Sequence, residues 1–357
     1  MKNTPFIFAV SGVKNSGKTT LITKLIPLLT EQGLNVATVK HDGHDFEPDV
    51  PGTDSCAHLK AGAYGSAVFS KNRFMLVKNR PSITEVELIS AFPEADIIIL
   101  EGFKHSSYPK IELVRSGNSS EPVCDPCSLI AIASDFSPSN LAGVPIIDIN
   151  DPVAAAETLL ACRAAGENIS LIVLAGGRSS RMGTDKADLI YKDSSFLENQ
   201  ISKGSMLGIR DIAISGYQGD NCSERVIPDI HPGNGPLGGL ENTLRSINYN
   251  RALVLSVDVP QVPLFALVHL INAAKAQDIP AAILRHNGKS EPLIGVYDAA
   301  LADEMLAEIT QRNGSVFALL RRVGYAVFDC DANDKWFESI NDKEAYSELI
   351  RRYAKKR

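Results

Sequence analysis

Two stretches of this chain combine glycine-exposed backbone amides with a lysine, as polyphosphate chemistry requires. The first is Gly12-Val13-Lys14-Asn15-Ser16-Gly17-Lys18-Thr19, set between the apolar run Phe6-Ile7-Phe8-Ala9-Val10 and the helix-spaced run Thr20-Leu21-Ile22-Thr23-Lys24-Leu25-Ile26. The spacing is that of a Walker A loop in its proper strand–loop–helix setting. The residues expected to hold a nucleotide are Gly12, Lys14, Asn15, Ser16, Gly17, Lys18, Thr19 and Thr20. Loop N–H groups and the helix N-terminus would bind the β-phosphate, Lys18 would bridge the β- and γ-oxygens, and Thr19 would ligate Mg²⁺. The second stretch runs from Leu174 to Lys186: Leu174-Ala175-Gly176-Gly177-Arg178-Ser179-Ser180-Arg181-Met182-Gly183-Thr184-Asp185-Lys186. It follows the short buried-strand pattern Ser170-Leu171-Ile172-Val173. Glycine lets the backbone bend sharply and lie against a ligand. No Gly-Lys-Ser/Thr closes this loop, and its glycine spacing is not the dinucleotide fingerprint. It reads as a polyphosphate cradle in which Leu174, Ala175, Gly176 and Gly177 seat the nucleotide, while Lys186 and Arg181 neutralise its charge.

Each cradle calls for a carboxylate at a strand end to hold Mg²⁺. Ala95-Asp96-Ile97-Ile98-Ile99-Leu100 is such a strand and Glu101 closes it; Ala252-Leu253-Val254-Leu255-Ser256-Val257 is another, and Asp258 closes that. Ligands of an open α/β sheet bind at the carboxyl ends of its strands. Ser215 and Asp229, which end the extended runs from Asp211 and Val226, are therefore expected beside the second nucleotide.

The elements that must position these groups point to an α/β chain of two domains. The chain has 357 residues, of which 44% are hydrophobic, enough for two cores. The net charge of −6 argues against a nucleic-acid binder. No apolar run approaches the roughly 20 residues that span a bilayer, and Met1-Lys2-Asn3-Thr4-Pro5 has no secretory pattern. Scattered cysteines (Cys56, Cys124, Cys127, Cys162, Cys222, Cys330) suit a reducing cytoplasm.

Within the first half, Val36–Lys40 reads as a strand, followed by His41-Asp42-Gly43-His44-Asp45. That cluster admits nucleotide or partner contact, a plain loop, or a transition metal, in that order of preference. Cys124-Asp125-Pro126-Cys127 lacks a second cysteine pair, and Pro122 and Pro126 suggest a loop. Near the middle, Asp151-Pro152 reads as an N-cap with proline in the first helical position, Val153 to Ala165 as a helix, and Gly166 as its end. Glu167-Asn168 alone separates this helix from the next strand, so the two domains, 1–166 and 167–357, should sit close together. In the second half Gly233-Asn234-Gly235-Pro236-Leu237-Gly238-Gly239-Leu240 reads as another glycine loop. Arg312, Arg321 and Arg322 are candidates to face an anionic substrate, with a solvated face as the equal alternative, and the run from Lys343 reads as a basic surface helix.

The first half resembles the GTP-binding adaptor of molybdopterin-guanine dinucleotide biosynthesis. The likeness is carried by the Walker A run, His41 to Asp45, Pro51 to Ser55, Glu101-Gly102-Phe103-Lys104-His105 and Pro109-Lys110-Ile111-Glu112. From about Ile169 onward the chain resembles molybdenum cofactor guanylyltransferase, through Arg181-Met182-Gly183, Asp185-Lys186, Gly235-Pro236-Leu237-Gly238-Gly239, Asp258-Val259-Pro260, Glu291 to Tyr297 and Phe337 to Asp342. The resemblance implies an N-terminal P-loop NTPase fold and a C-terminal Rossmann-like nucleotidyltransferase fold with a mostly parallel sheet. It implies GMP transfer from GTP to molybdopterin with release of pyrophosphate, Asp258 as the Mg²⁺ ligand, and an adaptor half with weak GTPase activity. Where that family carries asparagine, this chain has Ser339, which is shorter and lacks an amide donor pair; Asn341 matches the next asparagine and is expected at the ligand. The resemblance leaves room for a homodimer and for molybdenum-insertion proteins or apo-molybdoenzymes as partners, with no membrane or nucleic acid. Two other readings stay open. One is a cytidylyl- or sugar-phosphate nucleotidyltransferase, although sugar enzymes often have Pro-Lys where Asp185-Lys186 stands here. The other is a GTP-dependent delivery module with an inactive second domain.

Overall fold

The computed structural model describes residues 4–42, 46–138, 143–176, 185–219, 222–311 and 315–354. Its first part runs β1 (Phe6–Gly12), α1 (Lys18–Thr30), β2 (Val36–Lys40), α2 (Asp54–Lys60), β3 (Gly65–Phe69), β4 (Phe74–Lys78), α3 (Glu85–Ile89), β5 (Ile97–Glu101), β6 (Lys110–Val114), β7 (Leu129–Ser134), β8 (Ile146–Asp148) and α4 (Pro152–Ala165). The second continues with β9 (Ser170–Leu174), β10 (Ile190–Tyr191), β11 (Ser194–Ser195), α5 (Phe196–Met206), β12 (Asp211–Ser215), β13 (Arg225–Ile227), α6 (Gly235–Leu244), β14 (Arg251–Ser256) and α7 (Leu264–Lys275). It ends with β15 (Ala281–His286), β16 (Lys289–Asp298), α8 (Leu301–Thr310), α9 (Val316–Val323), β17 (Ala326–Asp329) and α10 (Lys343–Ala354).

Two sheets organise these elements. The first is parallel throughout, in the order β2-β5-β1-β6-β7-β8. The second has the order β13-β12-β9-β14-β16-β15-β17 and is parallel except at β16, which runs antiparallel to both neighbours. Strands covered on both faces read as unbroken apolar runs, and the cores of β1, β5, β9 and β14 are buried in that way. In each sheet the strand that feeds a glycine loop lies beside the strand that ends in a carboxylate: β1 beside β5, and β9 beside β14. A separate hairpin, β3 with β4, keeps Phe69 and Phe74 exposed.

The joint between the halves is a packed core. Asp151 caps α4 by accepting from Val153 N (2.9 Å) and Ala154 N (3.0 Å), with Pro152 in the first turn. One apolar cluster then runs without a break from Phe8 and Leu25 through Leu159 and Cys162 of α4 to Leu171, Leu267 and Ile271. Gly166 ends α4 for a different reason than the left-handed turn glycine usually supplies. Its φ is −80°, and a Cβ there would lie 1.8 Å from the carbonyl oxygen of Leu207. The positive φ at this junction belongs to Asn168, at 55°. Lys275 fastens the same turn, donating to the carbonyls of Ala164 (2.7 Å), Ala165 (3.1 Å) and Glu167 (2.5 Å).

Two expectations change. The segment Gly235–Leu240 is the first part of α6, not a loop; only Gly233-Asn234 precedes the helix. Its glycines serve close packing, since a Cβ on Gly238 would meet His231 O at 2.8 Å and one on Gly239 would meet Ser215 Oγ at 2.4 Å. The C-terminal helix α10 is more than a surface element. Leu349 is buried, Tyr346 donates to Ile190 O (2.9 Å), and Tyr353 packs edge-on against Tyr191.

Because the Leu207 carbonyl leaves no room, Gly166→Ala should lower stability by about 3 kcal/mol or more, at the upper end of overpacking costs. Thermal denaturation of the whole chain checks this.

Candidate functional sites

The first site is built on β1, α1 and β5. Gly12 has φ 138°, and a Cβ there would press on Leu113 O at 2.6 Å and Ser16 Oγ at 2.8 Å, so only glycine lets the chain turn out of β1 here. Asn15 (φ 63°) and Gly17 (φ 100°) take the left-handed conformation that curls the loop around the start of α1. Lys14, Asn15, Thr19 and Thr20 are exposed, whereas Ser16 is fully buried and its Oγ has no hydrogen-bond partner among the described residues. Lys18 reaches back across the loop, its ammonium donating to Val13 O (2.7 Å) and Gly12 O (3.3 Å). Burial lowers its pKa, while the nearby Glu101 carboxylate acts the other way. Thr19 Oγ1 donates to Glu101 Oε1 (2.7 Å), and Lys40 Nζ lies 3.8 Å from the same oxygen. The expected hydroxyl and strand-end carboxylate are therefore together.

Further residues support this site, Lys110 and Glu112 of the Pro109–Glu112 motif among them. Lys110 is fully buried and donates to Phe103 O (3.2 Å) and Ser106 O (2.5 Å), bracing the turn after Glu101. Glu112, also buried, accepts from Val123 N (2.6 Å) and Cys124 N (3.0 Å). The Asn118 amide donates to Lys14 O (3.1 Å), tying the loop after β6 to the phosphate loop. His41 packs edge-on against Phe103 with ring centroids 5.8 Å apart, beside this site; Gly43, His44 and Asp45 lie outside the described residues. Thr53, in the Pro51–Ser55 motif, caps α2 by accepting from Cys56 N (3.4 Å). Burial pushes the Cys124 thiol up, and Asp125 caps a short turn through Cys127 N (3.2 Å).

The second site lies where β9, β12 and β14 end. Ala175 N and Gly176 N both donate to Ser215 O (3.0 and 2.9 Å), which fixes the start of the cradle. Close approach to Gly216 favours glycine at 176, where a Cβ would lie 3.2 Å from Gly216 Cα. Ser215 is buried and acts here through its carbonyl. Asp229 is exposed and accepts from His231 N (2.9 Å). Gly177 and Arg181 lie outside the described residues. Lys186 starts a single 3₁₀ turn; its ammonium donates to Asn341 Oδ1 (2.5 Å) and lies 3.7 Å from Asp258 Oδ2. Ser256 Oγ donates to Asp258 Oδ1 (2.5 Å), and Ile340 N donates to Asp258 O (2.8 Å). Lysine, carboxylate and asparagine, more than 150 positions apart in the case of Lys186 and Asn341, thus meet at one point. Arg322 is taken up by ion pairs with Glu304 and Glu308 of α8; Arg321 is on an exposed part of α9, and Arg312 is outside the described residues.

At both sites the donors are oxygens: Thr19 with Glu101, and Asp258 with Ser256. One carboxylate with a hydroxyl suits Mg²⁺, which takes much of its coordination from water and substrate phosphates.

Two family models match the chain. "Molybdopterin guanine dinucleotide synthesis protein B" (MobB) matches residues 7–135, and "MobA-like NTP transferase domain" matches residues 171–325. A molybdopterin-guanine dinucleotide biosynthesis adapter protein of Escherichia coli (strain K12) is 39% identical over 153 residues, covering 41% of this chain and 86% of the relative. A probable molybdenum cofactor guanylyltransferase of Bacillus cereus (strain B4264) is 30% identical over 190 residues, covering 50% of this chain and 93% of the relative. The chain belongs to both families. The crystal structure of Bacillus subtilis MobB is 33% identical and has a TM-score of 0.37, covering 43% of this chain and 96% of that one. The MobB-like part holds the Walker A loop and Glu101, and the MobA-like part holds Lys186 and Asp258.

Replacing Glu101 by glutamine keeps the shape beside Thr19 but removes the charge. Glu101→Gln should weaken magnesium-dependent nucleotide binding at the first site about tenfold and leave binding in EDTA unchanged; calorimetry with and without the metal measures both.

Proposed function

We propose that this chain transfers GMP from GTP to the terminal phosphate of molybdopterin, giving molybdopterin guanine dinucleotide and pyrophosphate. The adaptor half, residues 1–166, binds a second GTP through its Walker A loop; the transferase half comprises residues 167–357. The observation that carries the reading is the meeting of Lys186, Asp258 and Asn341 within a MobA-like domain, with Val257 N, next to Asp258, donating to Leu174 O just before the Ala175-Gly176 turn.

The nucleophile needs little activation, because a phosphate monoester is largely ionised near pH 7, its second pKa being about 6. The barrier lies in bringing anions together and in the charge on departing pyrophosphate, so positioned cations matter most. The Leu174–Gly177 segment seats the nucleotide. Lys186, with Arg181, neutralises the triphosphate, and Asn341 orients the Lys186 ammonium. Asp258 and, in the adaptor half, Thr19 with Glu101 would hold Mg²⁺, which when bound supplies charge neutralisation of the phosphate oxygens. GTP hydrolysis in the adaptor half is slow in this reading.

The setting is the cytoplasm, a reading that the scattered placing of the cysteines supports. Among the described residues no helix is long and apolar enough to cross a membrane. A homodimer and docking to molybdenum-insertion proteins or apo-molybdoenzymes belong to the same proposal, and the exposed apolar face of the β3–β4 hairpin supports a protein partner.

Pyrophosphate release from GTP, Mg²⁺ and molybdopterin tests the reaction, with CTP as the control for base choice. Asp258→Ala and Lys186→Ala should each slow it by about 10²-fold or more while the far-ultraviolet dichroism of the chain is retained. Near-normal rates in both variants would remove the assignment.

A further inference from the structure

The loop that carries Asp258 is gripped by two side chains of α5 that neither phosphate cradle uses. Gln200 is fully buried, and its amide nitrogen donates to Ser256 O (2.7 Å) and Val259 O (3.0 Å), the carbonyls on either side of Asp258. Almost one turn along α5, Lys203 is also buried; its ammonium donates to Gln200 Oε1 (2.9 Å) and to Pro260 O (2.7 Å). The next residue, Gln261, belongs to the contact between the halves. Its carbonyl accepts from the thiol of Cys127 (3.2 Å), and its amide donates to Tyr191 Oη (3.2 Å). Beside Tyr191, Lys192 is ion-paired with Asp125 of the amino-terminal half.

This arrangement is costly for packing alone. Burial lowers the Lys203 ammonium to about 7, with Cys127 and Asp125 favouring its charged form and Lys192 opposing it. Apolar side chains of similar volume would fill the space without that desolvation cost. What they would not do is hold the carbonyls of Ser256, Val259 and Pro260 at fixed points around one carboxylate. Groups that orient a metal ligand from behind are typically worth about 10- to 100-fold in metal affinity.

We propose that Gln200 and Lys203 are positioning residues for Asp258, and that Asp125, paired with Lys192, completes their setting from the amino-terminal half. The adaptor part thereby helps to hold the transferase carboxylate. This rests on the reading of Asp258 as the metal-bearing group.

The test uses the full chain with Lys18→Ala, so that Mn²⁺ bound with GTP is counted at the second site alone, by electron paramagnetic resonance. Added to it, Gln200→Leu and Lys203→Met should weaken Mn²⁺ binding about tenfold or more, as loss of outer-shell support does. Asp125→Asn, which keeps the cap on the Pro126 turn, should weaken it about threefold, and less than multiplicatively when combined with Gln200→Leu. Metal-free GTP binding should not change, and Tm should move by only a few degrees. Unchanged Mn²⁺ affinity in these variants overturns the proposal, as does a loss that follows Tm alone. Should Gln200→Leu and Lys203→Met fail to fold, Asp125→Asn decides by itself. A wild-type chain that binds Mn²⁺ with GTP yet releases no pyrophosphate sinks the reaction and leaves this clamp standing. No Mn²⁺ binding in the Lys18→Ala parent sinks both.

Discussion

A carboxylate at the end of a dry parallel strand, facing an ammonium across the mouth of a glycine turn, is the constraint to which the rest of this structure answers. Water cannot solvate the strand that delivers the charge, so the charge must emerge where the strand ends. Glu101 and Asp258 do so beside the strands that feed the two glycine turns. The adjoining strand must then bend away without a side chain in the space. Gly12 and Gly176 meet that need at φ 138° and against Gly216 respectively. The two halves solve one electrostatic problem with the same device, though their sheets differ in order and direction.

The supports differ where the device is the same. Glu101 is met directly by Thr19 and Lys40, and the turn behind it is braced by the buried ammonium of Lys110. Asp258 is met by Ser256 and Lys186, and the Lys186 ammonium is oriented in turn by Asn341 near the end of the chain. A long-range contact of that kind makes the second site depend on the final segment, and Trp336, Phe337 and Ile340 anchor that segment in the common core. This explains why α10, which follows at once, packs against Tyr191 and Ile190: it secures the segment between the phosphate cradle and α5.

The groups proposed to do chemistry stand out in the sequence because their signal is local. A strand, a glycine turn and a cation lie within a dozen residues of one another, and a strand-end carboxylate follows an apolar run. Lys110 and Glu112 show where that legibility stops. The run Lys-Ile-Glu-Leu-Val has the alternation of a half-exposed strand, yet all of β6 is buried, and its charges are satisfied by backbone groups of two loops. The partners of Gln200 and Lys203 lie 56 and 57 residues further along the chain, so spacing could not have found them. Gly166 and Gly239 look like turn glycines in sequence. Their reason is the approach of Leu207 and of Ser215, which only the packed structure supplies.

The shared core bears on what fusion accomplishes here. Halves joined by a flexible tether gain only an effective concentration set by linker length. Here α4 packs between the first sheet and α7, Lys275 pins the turn that follows α4, and Cys127 of the first half touches the loop that carries Asp258. A packed apolar joint resists relative domain motion far better than a small polar one. Between the halves the chain is therefore a structural continuation. The Asn118 contact with Lys14 O lies at one end of the segment from Arg115 to Cys127, and the Gln261 contact lies at the other. That single stretch touches the Walker A loop and the transferase loop together.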